Sequence, residues 1–285
     1  MLACCFQRSL AASDPVRADG SDLKAMTSQS SNDRRVFPSS HAAALRRDAW
    51  REALACLVLL TLIAGGAGPL AALGPWFHIK ALGVFVVAFA VVLRGLSDHS
   101  PNLRFGPANR LTLVRLALVA LLAGGIGEPA ADVATIAWAA IVIATTAALL
   151  DALDGPLARA HGVASEFGAR FDMETDALMV LVLSLLVIHF DKAGTWIIAA
   201  GLMRYVFVLA AKAWPWLAGP LPPSRRRKAV CVAQITSLIV CLGPIIPLAW
   251  SQSIAAAGLV ALAASFAVDI VWLARRHRSP LEVEP

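Results

Sequence analysis

The chain has 285 residues, of which 58% are hydrophobic and only 15% are charged, and its mean hydropathy is +0.69. This composition excludes a soluble globular domain and is typical of an integral membrane protein. The net charge is +6, but the basic residues cluster between apolar runs, which indicates membrane orientation rather than nucleic-acid binding.

Residues 1–52 form the first predicted region, on the cytoplasmic side. Residues 1–40 are rich in Ser, Asp and Arg and contain no long apolar run, so we predict a disordered tail without a cleavable signal peptide. Residues 41–52 carry three arginines between apolar side chains, which is typical of a short interfacial helix ahead of a membrane span.

Residues 53–100 contain two apolar segments, at about 53–73 and 81–96. As a helix, each segment can cross or nearly cross a hydrocarbon layer about 30 Å thick. Neither segment contains a motif with chemical function. We therefore predict two accessory transmembrane helices that pack against or anchor the rest of the chain.

Residues 101–277 are predicted to form a six-helix domain, and residues 278–285 form a short polar tail. The predicted fold is an all-α integral membrane bundle, with six core transmembrane helices preceded by the two accessory ones. The six core spans are predicted at about 107–125, 130–154, 172–190, 194–214, 229–250 and 254–274.

The first core helix is predicted to begin at Pro107. It carries Asn109, Thr112 and Arg115 at intervals of three residues, so these side chains share one helical face. One interpretation is the ordinary interfacial start of a span, with Arg115 extending toward the lipid headgroups. The other interpretation assigns this helical face to ligand binding.

Four aspartates lie where two apolar spans end, and ionisable groups are costly to hold in such places, which indicates a functional site. Asp151 and Asp154 are three residues apart, and Asp172 and Asp176 are four apart, so each pair lies on one helical face. Adjacent helix ends would bring the carboxylates together, where they repel one another unless cations lie between them. Oxygen ligands suit Mg²⁺ or Mn²⁺, and bridging carboxylates can hold two metals about 3.5–4 Å apart for displacement at phosphorus.

Small residues between the two aspartate pairs leave room for a large ligand beside the acids. These residues are Gly155, Ala158 and Gly168. Pro156 cannot continue an ordinary helix, so the helix that carries Asp151 is predicted to end or kink near Gly155. Arg159 can neutralise a neighbouring phosphate, and Ser165 would either bind a substrate phosphate or cap the following helix.

Basic residues recur in the later spans. Arg204 lies within the fourth core span, so it should face a polar cavity or an acidic partner, and Lys212 lies near the end of that span. Residues 221–228 form the most basic loop, which ends in Arg227 and Lys228. This loop either anchors the chain to anionic lipid or contacts an anionic substrate.

Two acids outside the aspartate pattern are predicted to need no ligand. Glu174 is expected to be solvated or to pair with Arg170. Asp269 is expected to pair with Arg275 or Arg276 near the end of the last span.

The acidic stretch resembles the signature of the CDP-alcohol phosphatidyltransferase family. The matching pattern is Asp151-x-x-Asp154-Gly155-x-x-Ala158-Arg159, eight residues, then Gly168-x-x-x-Asp172-x-x-x-Asp176, and all eight fixed positions are present. The resemblance covers the chain from about Pro107 to the last span, whereas the first hundred residues lie outside it.

The resemblance implies an enzyme of phospholipid synthesis. It would transfer a phosphatidyl group from a CDP-linked lipid, most naturally CDP-diacylglycerol, to the hydroxyl of an alcohol, with release of CMP. Asp151, Asp154 and Asp172 would ligate a two-metal centre of Mg²⁺ or Mn²⁺, and Asp176 would be the general base and also contact the second metal. Acyl chains would remain in a groove between helices.

The resemblance also extends to residues outside the acidic motif. Asn109 and Thr112 would help to hold the CDP group, although Ala108 stands between the proline and the asparagine, which are adjacent in the family pattern. Arg204, with Lys212, Arg227 and Lys228 as weaker candidates, would bind the acceptor. These cations favour a phosphorylated acceptor such as glycerol 3-phosphate or inositol phosphate, but serine or a lipid alcohol stays open.

With eight spans, the catalytic loop and both termini share one side, which collects nearly all the arginines. The positive-inside rule makes that side cytoplasmic, in a bacterial inner membrane or a plasma membrane. Family members commonly form homodimers, and the sequence leaves this choice open. The alternative functions are a cation transporter, which would need acids near the bilayer middle, and an inactive scaffolding homologue, which intact acidic positions disfavour.

Overall fold

A computed structural model describes residues 39–70, 73–74, 76–94, 105–129, 132–160, 166–222 and 224–278. Within these ranges the chain forms eight α-helices and no strand, which confirms the predicted all-α class. The helices are α1 (Ser39–Leu70), α2 (Trp76–Arg94), α3 (Pro107–Gly124), α4 (Val133–Ala160), α5 (Glu166–His189), α6 (Ile198–Ala213), α7 (Arg225–Cys241) and α8 (Leu248–Arg278). Short 3₁₀ turns precede and follow α6.

Six of these helices are long and apolar enough to cross a membrane, namely α1 to α4, α6 and α8. Helix α5 carries Asp172, Glu174 and Asp176 in its first half, and α7 is 17 residues long. For these two helices the predicted crossing stays a prediction. The six apolar helices make the chain an integral membrane protein.

Helix α3 lies at the centre of the bundle. It is 61% buried, whereas the apolar stretches of the other five candidate spans are 17–28% buried. One core cluster packs α3 against helices α4 to α8, and a second packs it against α1, α2 and the start of α5. Packing between α5 and α6 is also close, because a Cβ added at Gly201 would lie 2.6 Å from the Cα of Leu181. Helix α3 therefore joins the accessory pair to the remaining helices.

Several helix boundaries differ from the predicted ones. Helix α1 is continuous over 39–70, so the predicted interfacial helix and first span form one element. Helix α4 continues to Ala160, so it does not end near Gly155, and the predicted alternative of a kink there stays a prediction. A membrane segment without its helical hydrogen bonds would leave backbone groups unsatisfied, which favours helix continuation through a single proline. The break between α7 and α8 lies at 242–247, where Gly243, Pro244 and Pro247 disfavour helix.

One end of the bundle is held together by two lysines. Lys80 at the start of α2 donates to the carbonyl of Ile126 and pairs with Glu128, both in the α3–α4 turn. Lys192 in the α5–α6 turn donates to the carbonyls of Gly243 (2.9 Å) and Ile246 (2.8 Å) in the α7–α8 turn. Exposed tryptophans lie near this end, as is typical of a membrane–water interface. They are Trp76, Trp138, Trp196 and Trp250.

Candidate active site

Three of the predicted aspartates meet near the end of the bundle opposite these lysines. Asp151 comes from α4, and Asp172 and Asp176 come one turn apart from α5. One carboxylate oxygen from each residue lies within 4.8 Å of the other two. Asp176 is only 1% exposed. The structure therefore brings together acids that lie 21 and 25 residues apart in the chain.

Arg115 of α3 lies among these carboxylates and is the most important residue that the sequence analysis did not assign to the site. Its side chain is 1% exposed, and its Nη1 lies 2.9 Å from Oδ1 of Asp151. The same guanidinium donates hydrogen bonds to Asp172 and Asp176. The interpretation of Arg115 as a residue extending toward the headgroups is therefore wrong. In the sequence, the position of Arg115 on the same helical face as Asn109 and Thr112 could have indicated that it belongs to the site.

The charge at this cluster is incompletely compensated by Arg115. One guanidinium faces three carboxylates, so negative charge is in excess when all three are ionised. In addition, Oδ1 of Asp151 is buried and accepts no hydrogen bond from the described part of the chain, although it lies close to Arg115. Hard oxygen donors with excess negative charge fit a divalent cation such as Mg²⁺ or Mn²⁺. The residues present therefore fit the predicted metal.

The rest of the acidic motif is described only in part. Residues 153–160 belong to α4, but their side chains lie outside the described residues. This applies to Asp154, Gly155, Ala158 and Arg159. Ser165 also lies outside the described residues, and Gly168 lies in the first turn of α5. The predicted roles of these residues stay predictions.

Asn109 and Thr112 are buried on α3, about two turns and one turn before Arg115, respectively. The Asn109 amide donates to the carbonyl of Phe105, and the Thr112 hydroxyl donates to the carbonyl of Ala108 at 3.1 Å. Both side chains therefore bond the backbone of their own helix start. The predicted role of these two residues in holding the CDP group stays a prediction.

A cavity of about 470 Å³ lies between α2, α5, α6, α7 and α8. Its walls are mostly apolar, and Phe171 and Met173, on either side of Asp172 in the sequence, both contribute to it. Its charged and hydroxyl groups come from three arginines, two acids and a serine. They are Arg170, Glu174, Arg204, Arg227, Ser265 and Asp269.

The ion pairs of this cavity differ in part from the predicted ones. Arg204 lines the cavity and pairs with Glu174, so it has the acidic partner that one interpretation expected. The Glu174 side chain is 43% exposed, which agrees with the expected solvation, and the partner that the structure gives it is Arg204. Asp269 pairs with Arg226 and also with Arg227 at 3.2 Å, rather than with the arginines that follow it on α8. Two further acceptor candidates, Lys212 and Lys228, are exposed and lie away from the cavity lining.

A family model described as CDP-alcohol phosphatidyltransferase matches residues 105–271, which include α3 to α7 and most of α8. The chain belongs to the CDP-alcohol phosphatidyltransferase family. The predicted family is thereby confirmed, and helices α1 and α2 lie outside the matched segment.

Two curated relatives are similar to part of the chain. They come from Mycobacterium tuberculosis strains CDC 1551 and H37Rv, and each is named "Probable phosphatidylglycerophosphate synthase". Each is 45% identical over 78 residues, which cover 26% of this chain. The chain thus matches about a third (35%) of the length of these relatives. No solved structure matches the chain.

Proposed function

We propose that this protein transfers a phosphatidyl group from a CDP-linked lipid, CDP-diacylglycerol in the first instance, to an alcohol, with release of CMP. The observation that carries the proposal is the meeting of Asp151, Asp172 and Asp176 from two helices, in a chain that belongs to this family. The family alone supports phospholipid synthesis with an alcohol acceptor. The convergent carboxylates support an intact catalytic centre rather than an inactive homologue.

Asp151, Asp172 and Asp176, together with Asp154, would hold the divalent cations. When bound, Mg²⁺ or Mn²⁺ supplies the positive charge that the pyrophosphate and the departing CMP require. Arg115 contacts all three carboxylates of the described cluster and compensates part of their charge. A divalent cation would share these oxygens with the Arg115 guanidinium.

Asp176 would accept the proton of the acceptor hydroxyl. The alcohol oxygen forms a bond to the lipid-side phosphorus, the bond from that phosphorus to the CMP oxygen breaks, and CMP leaves with the bonding electrons. Burial of Asp176 at 1% exposure shields this proton transfer from bulk water. The Arg115 guanidinium, which also bonds Asp176, orients its carboxylate.

A phosphorylated acceptor, glycerol 3-phosphate in particular, fits the basic cavity and the names of the two relatives. Arg204 and Arg227 contribute to the same cavity, and the Nε atoms of both are buried without a hydrogen-bond partner among the described residues. A phosphate is a good partner for such groups, because arginine binds it through two or more charge-assisted hydrogen bonds. The apolar walls suit the acyl chains of the lipid substrate.

The decisive measurement is CMP release by purified protein in detergent–lipid micelles with CDP-diacylglycerol and Mn²⁺ or Mg²⁺. The acceptor panel contains glycerol 3-phosphate, inositol phosphate, serine and a lipid alcohol, each with and without a chelator. Metal-dependent release with glycerol 3-phosphate alone is the expected result. Release with another acceptor would refute the acceptor assignment. No release from folded protein with any acceptor would refute the proposed reaction and favour the transport or scaffolding alternative.

A further inference from the structure

Phe105 lies where the accessory helix α1 contacts the start of α3. Its ring is fully buried and lies 6.3 Å, between ring centroids, from both Phe167 and Phe171 at the start of α5. Its carbonyl accepts the hydrogen bond from the Asn109 amide. Its position therefore influences both the first turn of α3 and the turn of α5 that leads to Asp172.

The backbone N–H of Phe105 is held by α1. It donates to Oδ2 of Asp48 at 3.0 Å, across 57 residues of sequence. Phe105 precedes the first turn of α3, so its N–H has no partner in that helix, and a buried N–H without a partner is costly. The next residue, Gly106, has a φ of 79°, which lets the chain turn from this contact into Pro107 and helix α3.

A second contact of α1 with α3 lies nearer the surface. Glu52, one turn after Asp48, pairs with Arg110 at 2.8 Å, but the Arg110 side chain is 53% exposed. Exposed ion pairs contribute little to stability or position. Besides the apolar packing of α1 against α3, the half-buried hydrogen bond from Phe105 to Asp48 is therefore the polar contact that fixes the start of α3.

We propose that Asp48 is a positioning residue for the CDP-linked lipid, which gives α1 a role in the reaction although it lies outside the family-matched segment. The Asp48 carboxylate accepts the Phe105 N–H, the Phe105 carbonyl accepts the Asn109 amide N–H, and Asn109 is the residue that the proposed function assigns to binding of the CDP group. This inference rests on the proposed function. Because the buried middle of α3 is fixed by core packing, loss of the contact should move Asn109 more than Arg115. Donor binding should therefore weaken while turnover is retained.

The test compares Asp48→Ala with Asp48→Asn, because asparagine keeps a side-chain oxygen that accepts the Phe105 N–H. Asp48→Ala is expected to raise KM for CDP-diacylglycerol about fivefold to tenfold, the loss expected for one hydrogen bond, with kcat within about twofold. Asp48→Asn should restore the wild-type KM. Glu52→Gln is the matched control on the same helix, and its KM should stay within about twofold.

Hydrogen exchange supplies a readout that does not depend on activity. The amide of Phe105 should exchange about tenfold faster in Asp48→Ala and at the wild-type rate in Asp48→Asn. Unchanged exchange in Asp48→Ala, an unchanged KM, or an Asp48→Asn protein as impaired as Asp48→Ala would each overturn the inference. Wild-type protein that releases no CMP would refute the proposed function, while the exchange rates would still decide whether Asp48 fixes Phe105.

Discussion

Replacement of Arg115 by methionine would remove the guanidinium that contacts the three clustered carboxylates. Arg115 is 1% exposed and contacts Asp151, Asp172 and Asp176, so water cannot take the place of the guanidinium at low cost. Removal of one partner from a buried ion pair costs about 3–5 kcal/mol. For a chain of this size, such a loss lowers the melting temperature by roughly 6–20 °C.

A divalent cation should reverse much of this loss in Arg115→Met. Mn²⁺ binds the folded cluster and not the unfolded chain, so at about one hundred times its Kd it stabilises the fold by about 2.7 kcal/mol. Wild-type protein should gain less from Mn²⁺, because Arg115 already occupies oxygens of the same carboxylates. The assay is thermal unfolding in detergent–lipid micelles, with a chelator and with a Mn²⁺ series.

The matched control is Arg110→Met on the same helix, because Arg110 is 53% exposed and pairs only at the surface with Glu52. Its free energy of unfolding should change by less than about 1 kcal/mol. The reasoning is refuted when Arg115→Met melts within about 2 °C of wild type in chelator. A Mn²⁺ response equal in the variant and in wild type would refute the competition between Arg115 and the metal.

Three further predictions concern the base, the acceptor and the packing of the helices. Asp176→Asn should lower kcat about 10²- to 10⁴-fold while the protein remains inserted, and substantial CMP release would contradict its assignment as base. Arg204→Met should raise KM for glycerol 3-phosphate about tenfold or more. Lys212 is exposed, and Lys212→Met should leave this KM unchanged. If Arg204→Met raises only the KM for CDP-diacylglycerol, the cavity binds the donor instead. Gly201→Ala should lower the free energy of unfolding by about 1–3 kcal/mol, because the new methyl meets the α5 backbone. A Cβ added at Gly83 would have nothing within 4 Å, so the free energy of unfolding of Gly83→Ala should stay within about 1 kcal/mol of wild type. Equal changes in melting temperature for Gly201→Ala and Gly83→Ala would refute the packing argument.

Much of this protein could be predicted from local sequence. Apolar runs of membrane length predicted an all-α bundle, and the spacing of Asp151, Asp172 and Asp176 predicted a shared acidic site. The family could be recognised from the same stretch, and its match to residues 105–271 confirms that prediction. Such features depend on residue type and on the 3.6-residue period of a helix, which a sequence displays directly.

Partners between helices could not be predicted in the same way. One interpretation of the sequence placed Arg115 at the membrane interface, and Arg170 was the partner suggested for Glu174. The structure pairs Arg115 with the aspartate cluster and Glu174 with Arg204. A helical period fixes which residues share a face, but not toward which neighbour that face turns. Rotation, register and crossing of the helices decide that choice, and they result from packing over the whole bundle.

The contact of Asp48 with Phe105 illustrates the same limit for residues far apart in the chain. The sequence by itself determined that the segment at about 53–73 is apolar, long enough to span a membrane as a helix, and preceded by basic residues. Only the tertiary structure placed the Asp48 carboxylate at the backbone N–H where the catalytic helices begin. Any residue except proline can supply a backbone N–H, so the residue type at position 105 does not predict the hydrogen bond to Asp48. The packing of α1 against α3 decides whether this hydrogen bond forms.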